Sequence, residues 1–504
     1  MESHHRFPTS LLLVALAIVA GVRALPYLFF SPDDFYIYLR FVTNVVERGE
    51  FSFNVGAPTY GFTSSLWLLF LASIGKLTGH ALWGGKLLSL LMTLLSPLLV
   101  FAILYRLTGE RSLSWLAGLV WAGNAWLVRW SASGLEAGFS ATLALAVVWF
   151  SMRAREKDRL PWVAALCAGA APFIRPEMIG LSILFVLAWA LFERRWKRLL
   201  VTASIPALML AVGGSALYSE FGRFLPNTAE AKGSMVDGFA KLIPSVTRIL
   251  KIVASTSAIE LLLIAVGLVV WLTRGHWRRF APRKDLHFAL LMVAWSVGVV
   301  ALYGVRGVNV YTRYLLIFMP FVVIGGFAVL APWWRRGGGW RAAVLLIGSV
   351  ILVQNVALDL RLVRPATAAY QDSERRVNIV IGEWLRDHTA PEAVVAVPDI
   401  GAIGYISRRE ILDLNGLVTP ELIPYKRNKE VNRFLEENPP DFIISIHEDP
   451  NWLDENGPDL RLTQLLSLPF EKMFIFQDEP LYYSLYRVEG RVISEGPALA
   501  MLTR

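Results

Sequence analysis

The stretch Gly61–Leu77, "GFTSSLWLLFLASIGKL", decides how the chain crosses a membrane. It lies in a 504-residue sequence that is 55% hydrophobic, with 18 Trp and a mean hydropathy of +0.49. Apolar runs recur over roughly the first 360 residues, too densely for soluble domains. The chain therefore reads as a polytopic membrane protein. A span needs about 20 mainly apolar residues to cross roughly 30 Å of hydrocarbon. About eleven fit, near 10–29, 83–105, 112–128, 136–152, 161–175, 177–192, 199–218, 258–273, 287–303, 314–331 and 341–358. With an odd count and the N-terminus inside, the basic clusters "RAREKDR" (153–159), "ERRWKR" (193–198), "RGHWRRFAPRK" (274–284) and "PWWRRGGGWR" (332–341) all face the cytoplasm, as the positive-inside rule expects. Counting 61–77 as a further span would move all four outside. It is therefore taken as an interfacial or re-entrant helix, and residues 30–82 as one long external loop. The net charge of +9 then reports topology, and nucleic acid is not an expected partner. The first run, "LLLVALAIVAGVRALPYLFF" (11–30), lacks the cleavage site of a signal peptide and is kept as a span. A single Cys, Cys167, leaves no intramolecular disulfide.

The loop opens with "SPDDFYIYLRFVTNVVERGEFSFN" (31–54). Ser31 suits an N-cap, Pro32 the first helical position, and Asp33 and Asp34 the first turn. Gly49 suits the stop. Phe35, Tyr38, Leu39, Val42, Val45 and Val46 recur at helical spacing, opposite a stripe of Asp33, Tyr36, Arg40, Asn44 and Glu47. The expectation is an amphipathic helix on the membrane surface with its polar side toward water. Carboxylates in a first turn are stabilised by the helix dipole whether or not they do chemistry. If they do, they suit a general base or a cation ligand better than a proton donor. Adjacent carboxylates also fit glycoside hydrolysis poorly, since that reaction needs two groups on opposite sides of the bond. A base without a paired acid suits a leaving group that needs no proton, such as phosphate.

The pattern "DDFYIYLRFVTNVVERGEFSFNVGAPTYGFTSSLW" (33–67) resembles the first external loop of polytopic GT-C glycosyltransferases, and most of all the mycobacterial terminal arabinofuranosyltransferase group. Matching segments follow in order: "SASGLEAGF" (131–139), "FIRPEMIGL" (173–181), "FGRFLPNTAEAK" (221–232), "YTRYLLIFMP" (311–320) and "PDIGAIGYISRREILDLNGL" (398–417). The resemblance implies a GT-C fold and transfer of a sugar, arabinofuranose among the candidates, from a polyprenyl-phosphate donor on the outer membrane face. It implies a base at Asp33, with Asp34 the second candidate. Phe35 stands where a small residue is usual, and Phe62 and Ser65 depart from related loops, which bears on the particular sugar.

Arg175, Arg223, Lys232, Arg306 and Arg313 fall on the outer side, where cations are depleted. Each suits phosphate oxygens, or a lipid headgroup as interfacial anchor. Glu136, Asn227, Tyr60 and Arg40 are candidates for sugar or acceptor contacts. Residues 359–504 change character, with strand-length runs "AVVAVPD", "EILDLN", "DFIISIH", "KMFIFQ" and "LYYSLYRV" and helical stretches "ERRVNIVIGEWLRDH" and "EVNRFLEEN". This is an expected extracytoplasmic α/β domain following a transmembrane catalytic domain, 1–358. "DIGAIG" lacks the full dinucleotide fingerprint. Asp399, Asn415 and His447 end expected strands, where open α/β sheets bind ligands. The expected function is an inverting glycosyltransferase of the cell membrane acting on a glycan, lipid or protein acceptor. No cofactor is specified, and a divalent cation is left open. The rivals are a lipid-linked saccharide flippase or transporter, a glycan polymerase or ligase with a pyrophosphate-linked donor, and a membrane scaffold. A transporter should carry ionisable groups deep in its spans, whereas Arg23, Glu136, Glu177, Glu220 and Glu260 are expected near span ends.

Overall fold

The computed structural model describes residues 9–193, 195–231, 235–274, 286–475, 477 and 479–489. Each of the expected spans overlaps a helix: Thr9–Ala24, Ala81–Thr108, Arg111–Ala122, Ala137–Glu156, Trp162–Ile174, Ile179–Phe192, Trp196–Phe221, Met235–Arg274, Leu286–Val305, Met319–Arg336 and Gly338–Leu358. Seven described helices are long and apolar enough to cross a membrane. The chain is a multi-pass membrane protein. Gly61–Leu77 contributes the helix Ser65–Thr78, whose 14 residues extend about 21 Å at 1.5 Å each, short of a bilayer.

The chain divides into two compact units. One holds Met1–Leu28, Lys86–Ala216 and Gly233–Arg361; the other holds Phe29–Gly85, Leu217–Lys232 and Leu362–Arg504. In the first, helix ends expected on the same side meet through ion pairs. Arg106 bonds Glu156 at 3.1 Å, Arg195 and Arg198 each reach Asp158 at 2.5 Å, and Arg335 bonds Glu110 at 3.1 Å. Two spans depart from expectation. The third stops at Ala122, and Asn124 caps a separate short helix, Ala125–Trp130, by accepting from the amides of Trp126 and Leu127. The eighth begins well before residue 258, because Met235–Arg274 continues through a kink at Ser257. Glu260 consequently lies inside the span Leu242–Val270, not at its end.

In the second unit, helix Asp33–Arg48 forms as its periodicity predicts and ends at Gly49, whose φ of 74° places it in the left-handed region open to glycine. Its start differs: Pro32, with extended ψ of 154°, is the N-cap and Asp33 the first helical residue. The residue before a helix needs non-helical backbone, and Pro32 supplies it without a side-chain cap. Phe35, Tyr38, Leu39 and Val42 of the apolar stripe are buried, whereas Val46 near the helix end is exposed. Phe35, Trp67, Leu68 and Leu71 are wholly buried, each such side chain contributing about 1.5–3 kcal/mol, and the Ser64 amide donates to Tyr38 Oη at 2.9 Å.

Beyond residue 362, β1 (Val394–Val397), β2 (Glu410–Asp413), β3 (Phe442–His447), β4 (Leu462–Phe470) and β5 (Leu481–Val488) form one mixed sheet in the order β2-β1-β3-β5-β4. The first three run parallel and β5 and β4 complete an antiparallel edge. Ile443, Ala396, Leu412, Leu435 and Tyr486 form its core with the flanking helices. "KMFIFQ" is not a strand over its described residues; the edge strand is "LTQLLSLPF", whose residues are partly buried along almost the whole length. A uniformly half-covered strand has no in-out alternation to reveal it. The expected helix over 374–388 is two helices, Arg364–Arg376 and Asn378–His388, meeting at Val377.

Candidate active site

From Asp33 to Asn44 the polar stripe of the surface helix is covered by protein, and only Glu47 at its end is exposed. The stripe docks along helix Gly401–Ser407 and the Arg408 that follows. The Asp33 carboxylate accepts the Gly401 amide at 2.9 Å on Oδ2 and the Ala402 amide at 2.8 Å on Oδ1. Tyr36 meets Tyr405 with centroids 5.9 Å apart, and Glu47 faces Arg408 at 3.9 Å. Arg40 is buried and donates to the carbonyls of Phe53 at 2.7 Å, Gly404 at 2.5 Å and Arg409 at 2.7 Å. Asn44 donates to Ser52 and Phe53 carbonyls. This explains "DIGAIG". A Cβ on Gly401 would sit 2.0 Å from the Asp33 carbonyl oxygen, and one on Gly404 would sit 2.8 Å from the Phe53 ring and 3.1 Å from Arg40. The two glycines, one turn apart, give the close face on which the loop helix rests.

Around Asp33 the second unit gathers further acids and phenols. Tyr370 Oη accepts the Asp33 amide at 3.0 Å, and Tyr483 donates to Asp399 Oδ2 at 2.5 Å. Burial is the largest influence on Asp33, followed by the negative charge of Asp399. Together with Asp34 they outweigh the two amide donors and hold the carboxyl well above the usual range. Burial likewise pushes Asp399 up to about 6, against the hydrogen bond from Tyr483. The dipole argument from sequence predicts the opposite sign for Asp33. Desolvation and like charge prevail because the carboxylate is enclosed. Raised basicity in a geometry fixed by two amides is what a general base working near neutral pH requires.

Other expected contacts of this unit serve largely as internal ties. The Asn227 side chain accepts from Arg223 and donates to the Leu417 carbonyl at 2.9 Å, and its amide bonds the Tyr60 carbonyl at 2.9 Å. Tyr60 stacks on Phe221 at 5.0 Å. Asn415 donates to the Pro398 carbonyl and accepts from Lys426. His447, the last residue of β3, stacks on Trp452 at 5.0 Å and accepts the Asp449 amide. Lys232 lies outside the described residues. Among the described residues no His, Cys, Asp or Glu side chains converge as a metal ligand set.

The first unit assembles a second cluster. Arg175 bonds Glu136 at 2.9 Å and Glu177 at 2.7 Å, and Tyr303 donates to Glu177 at 2.6 Å. Arg175 lies 4.5 Å over the Tyr314 ring, which Arg313 shares at 5.3 Å while also resting 5.2 Å over Trp130 and 5.5 Å over Tyr311. Trp130 donates to Thr312 at 2.8 Å. Arg175 is thus neutralised by carboxylates, and Arg313 rests against three aromatic rings. Arg306 follows the helix Leu286–Val305 and is partly buried. Sequence reasoning missed Lys86, buried near the start of helix Ala81–Thr108 with its ammonium 3.2 Å from the Ala132 carbonyl. A lysine early in an otherwise apolar span is the signal that points to it. It also missed Glu374, a buried acid beside Asp33 and Asp399.

Residues 65–219 match the family described as dolichyl-phosphate-mannose-protein mannosyltransferase, and residues 365–490 match a domain of unknown function, DUF8728. No curated protein matches the chain in sequence. In structure, the chain is similar to ArnT from Cupriavidus metallidurans bound to undecaprenyl phosphate, with 13% identity and a TM-score of 0.54, covering 94% of this chain and 97% of that one. It is also similar to the Archaeoglobus fulgidus oligosaccharyltransferase in its apo form, with 13% identity and a TM-score of 0.53, covering 87% of this chain and 70% of that one. At these identities the likeness speaks for architecture: the chain has the GT-C glycosyltransferase fold, a helical membrane protein with a small C-terminal sheet domain.

Proposed function

We propose that the protein is an inverting glycosyltransferase that moves a sugar from a polyprenyl-phosphate donor to a glycan, lipid or protein acceptor. The work is done at the outer face of the cell membrane, with the N-terminus in the cytoplasm. Asp33 is the general base. It takes the proton of the acceptor hydroxyl as that oxygen attacks the anomeric carbon, and the bond from carbon to the phosphate oxygen breaks on the opposite side. The polyprenyl phosphate leaves with the bonding electron pair and needs no acid, which suits a carboxylate with no proton-donating partner across the bond. In the first unit, Arg313, Lys86 and Arg175, the last held by Glu136 and Glu177, are the cations suited to a phosphate and its growing charge. Arabinofuranose is the sugar favoured by the sequence resemblance of the first loop. The observation that carries the reading is the Asp33 carboxylate, fixed by two amides at the head of the first loop and raised in basicity by its surroundings.

The experiment is transfer by the purified protein in liposomes, given polyprenyl-phosphate arabinose, polyprenyl-phosphate mannose or the matching nucleotide sugars. Product from a lipid donor alone supports the proposal; product from a nucleotide sugar alone refutes it. One observation favours a second reading, a proton-coupled transporter. Glu260 is wholly buried inside a span with neither carboxylate oxygen hydrogen-bonded, and an ionisable group at that depth is of the kind that marks proton relays. Transport that survives Asp33→Asn but not Glu260→Gln would decide for it.

A further inference from the structure

Among the described residues of the second unit, one pair of side chains holds two buried oxygens without a donor at direct contact. Glu374, near the end of helix Arg364–Arg376, and Asn378, the first residue of the next helix, stand four residues apart across the corner at Val377. They are 3% and 0% exposed. Asn378 Nδ2 donates to Glu374 Oε2 at 3.0 Å. Neither Glu374 Oε1 nor Asn378 Oδ1 meets a donor at direct hydrogen-bond geometry, although the Tyr370 hydroxyl also acts on the Glu374 carboxyl as a donor. An ionised carboxylate and an amide oxygen are both acceptors, so neither can satisfy the other. A carboxylic acid can: its hydroxyl on Oε1 donates to Oδ1 and closes a two-bond acid–amide ring with the contact already made.

We infer that Glu374 carries a proton in the folded protein and, as a neutral acid locked to Asn378, is a positioning residue for Asp33. The groups facing it agree. They are Asp33 and Tyr36 from the surface helix, Asp399 after β1, Tyr483 on β5 and Tyr370 on its own helix. These are carboxyls and phenols. A further negative charge among them, out of water, would be strongly unfavourable. Burial first, then the charges of Asp33 and Asp399, accordingly hold the Glu374 carboxyl well above the usual range. Tyr370, one turn before Glu374, accepts the Asp33 amide. The acid–amide ring thus pins the helix end that holds the first residue of the surface helix. The positioning role rests on the proposed base; the proton itself does not.

The test uses the full chain in detergent with Glu374→Gln, whose amide re-forms the two-bond ring without a titratable proton, and Glu374→Ala, which abolishes it. Infrared difference spectra of wild type against Glu374→Gln at neutral pH should show the C=O stretch of a carboxylic acid. Unfolding temperature supplies the second readout. The unfolded chain ionises Glu374 above about pH 4 and the folded chain resists, so its contribution is full below that pH and is lost as pH rises toward the folded value. The advantage of Glu374→Gln over wild type should therefore widen from about pH 4 to about pH 8, while Glu374→Ala lies below both. Absence of the acid band, or an advantage that shrinks with rising pH, overturns the inference. Transfer restored by Gln but not by Ala ties the proton to Asp33, and equal loss in the two variants removes the positioning role. Should no variant and no wild type transfer sugar, the function proposal fails while the band still judges the proton.

Discussion

Replacing Asp33 by Asn removes a base and an acceptor in one step, and the structure separates the two effects. In the wild type each carboxylate oxygen accepts one amide, from Gly401 at 2.9 Å and Ala402 at 2.8 Å. Asn offers one oxygen and one NH2, so whichever way it turns, one of those amides loses its acceptor. Leaving a buried N–H unsatisfied costs about 1–3 kcal/mol of stability. Loss of general-base catalysis removes about 10²–10⁴ in rate, roughly 3–5 kcal/mol of barrier. Against the lost acceptor stands relief of the burial and like charge that hold the Asp33 carboxyl up, so Asp33→Asn should remain folded at assay temperature, with kcat down at least about a hundredfold and KM for the lipid donor little changed. The assay is initial-rate transfer from a radiolabelled polyprenyl-phosphate sugar, with Asp34→Asn as comparison because that substitution leaves both Asp33 acceptors in place. Wild-type turnover by folded Asp33→Asn would refute the reasoning. A collapse confined to Asp34→Asn would move the base one residue along.

Three further outcomes follow from the geometry. Asp399→Asn removes the like charge that helps raise Asp33, so the acid limb of the transfer profile should move to lower pH; an unmoved limb would uncouple the two carboxyls. Gly401→Ala would place a methyl 2.0 Å from the Asp33 carbonyl oxygen, and both transfer and unfolding temperature should drop, whereas normal values for both would show that the close approach is dispensable. Arg313→Ala should raise KM for the lipid donor by about 10–100-fold, the worth of a charge-assisted contact to phosphate, with Arg313→Lys intermediate; unchanged donor dependence would take Arg313 out of the site.

Hydropathy made the membrane helices legible, because a bilayer demands long apolar runs wherever they sit in the fold. The surface helix was legible for a similar reason: its spacing needs only its own residues, and Gly49 announces its end. What covers the polar stripe was not. Periodicity shows that Arg40 and Asn44 share a face, but two of their partners, Gly404 and Arg409, come from distant sequence, and Ser52 and Phe53 reach back only through a turn of the loop. The direction of the Asp33 shift was hidden likewise, since helix position argues downward and only the fold brings Asp399 beside it. Glu374 sits in a stretch whose helical pattern is ordinary, and its chemistry arises wholly from neighbours. β4 escaped because partial burial along its length erases alternation, while "KMFIFQ" is an apolar run of strand length that is not a strand over its described residues. Glu260 was misplaced because polar residues before 258 masked the continuation of its helix.

The central claim is that an enclosed carboxylate activates an alcohol toward a lipid-phosphate glycoside. Its most direct measurement follows one reaction by two signals: phosphorus NMR of the polyprenyl phosphate released, and proton NMR of the anomeric centre in the glycoside formed. The account predicts equal amounts of the two, with the anomeric configuration inverted and both lost in Asp33→Asn. Retained configuration, or pyrophosphate in place of phosphate, would contradict it.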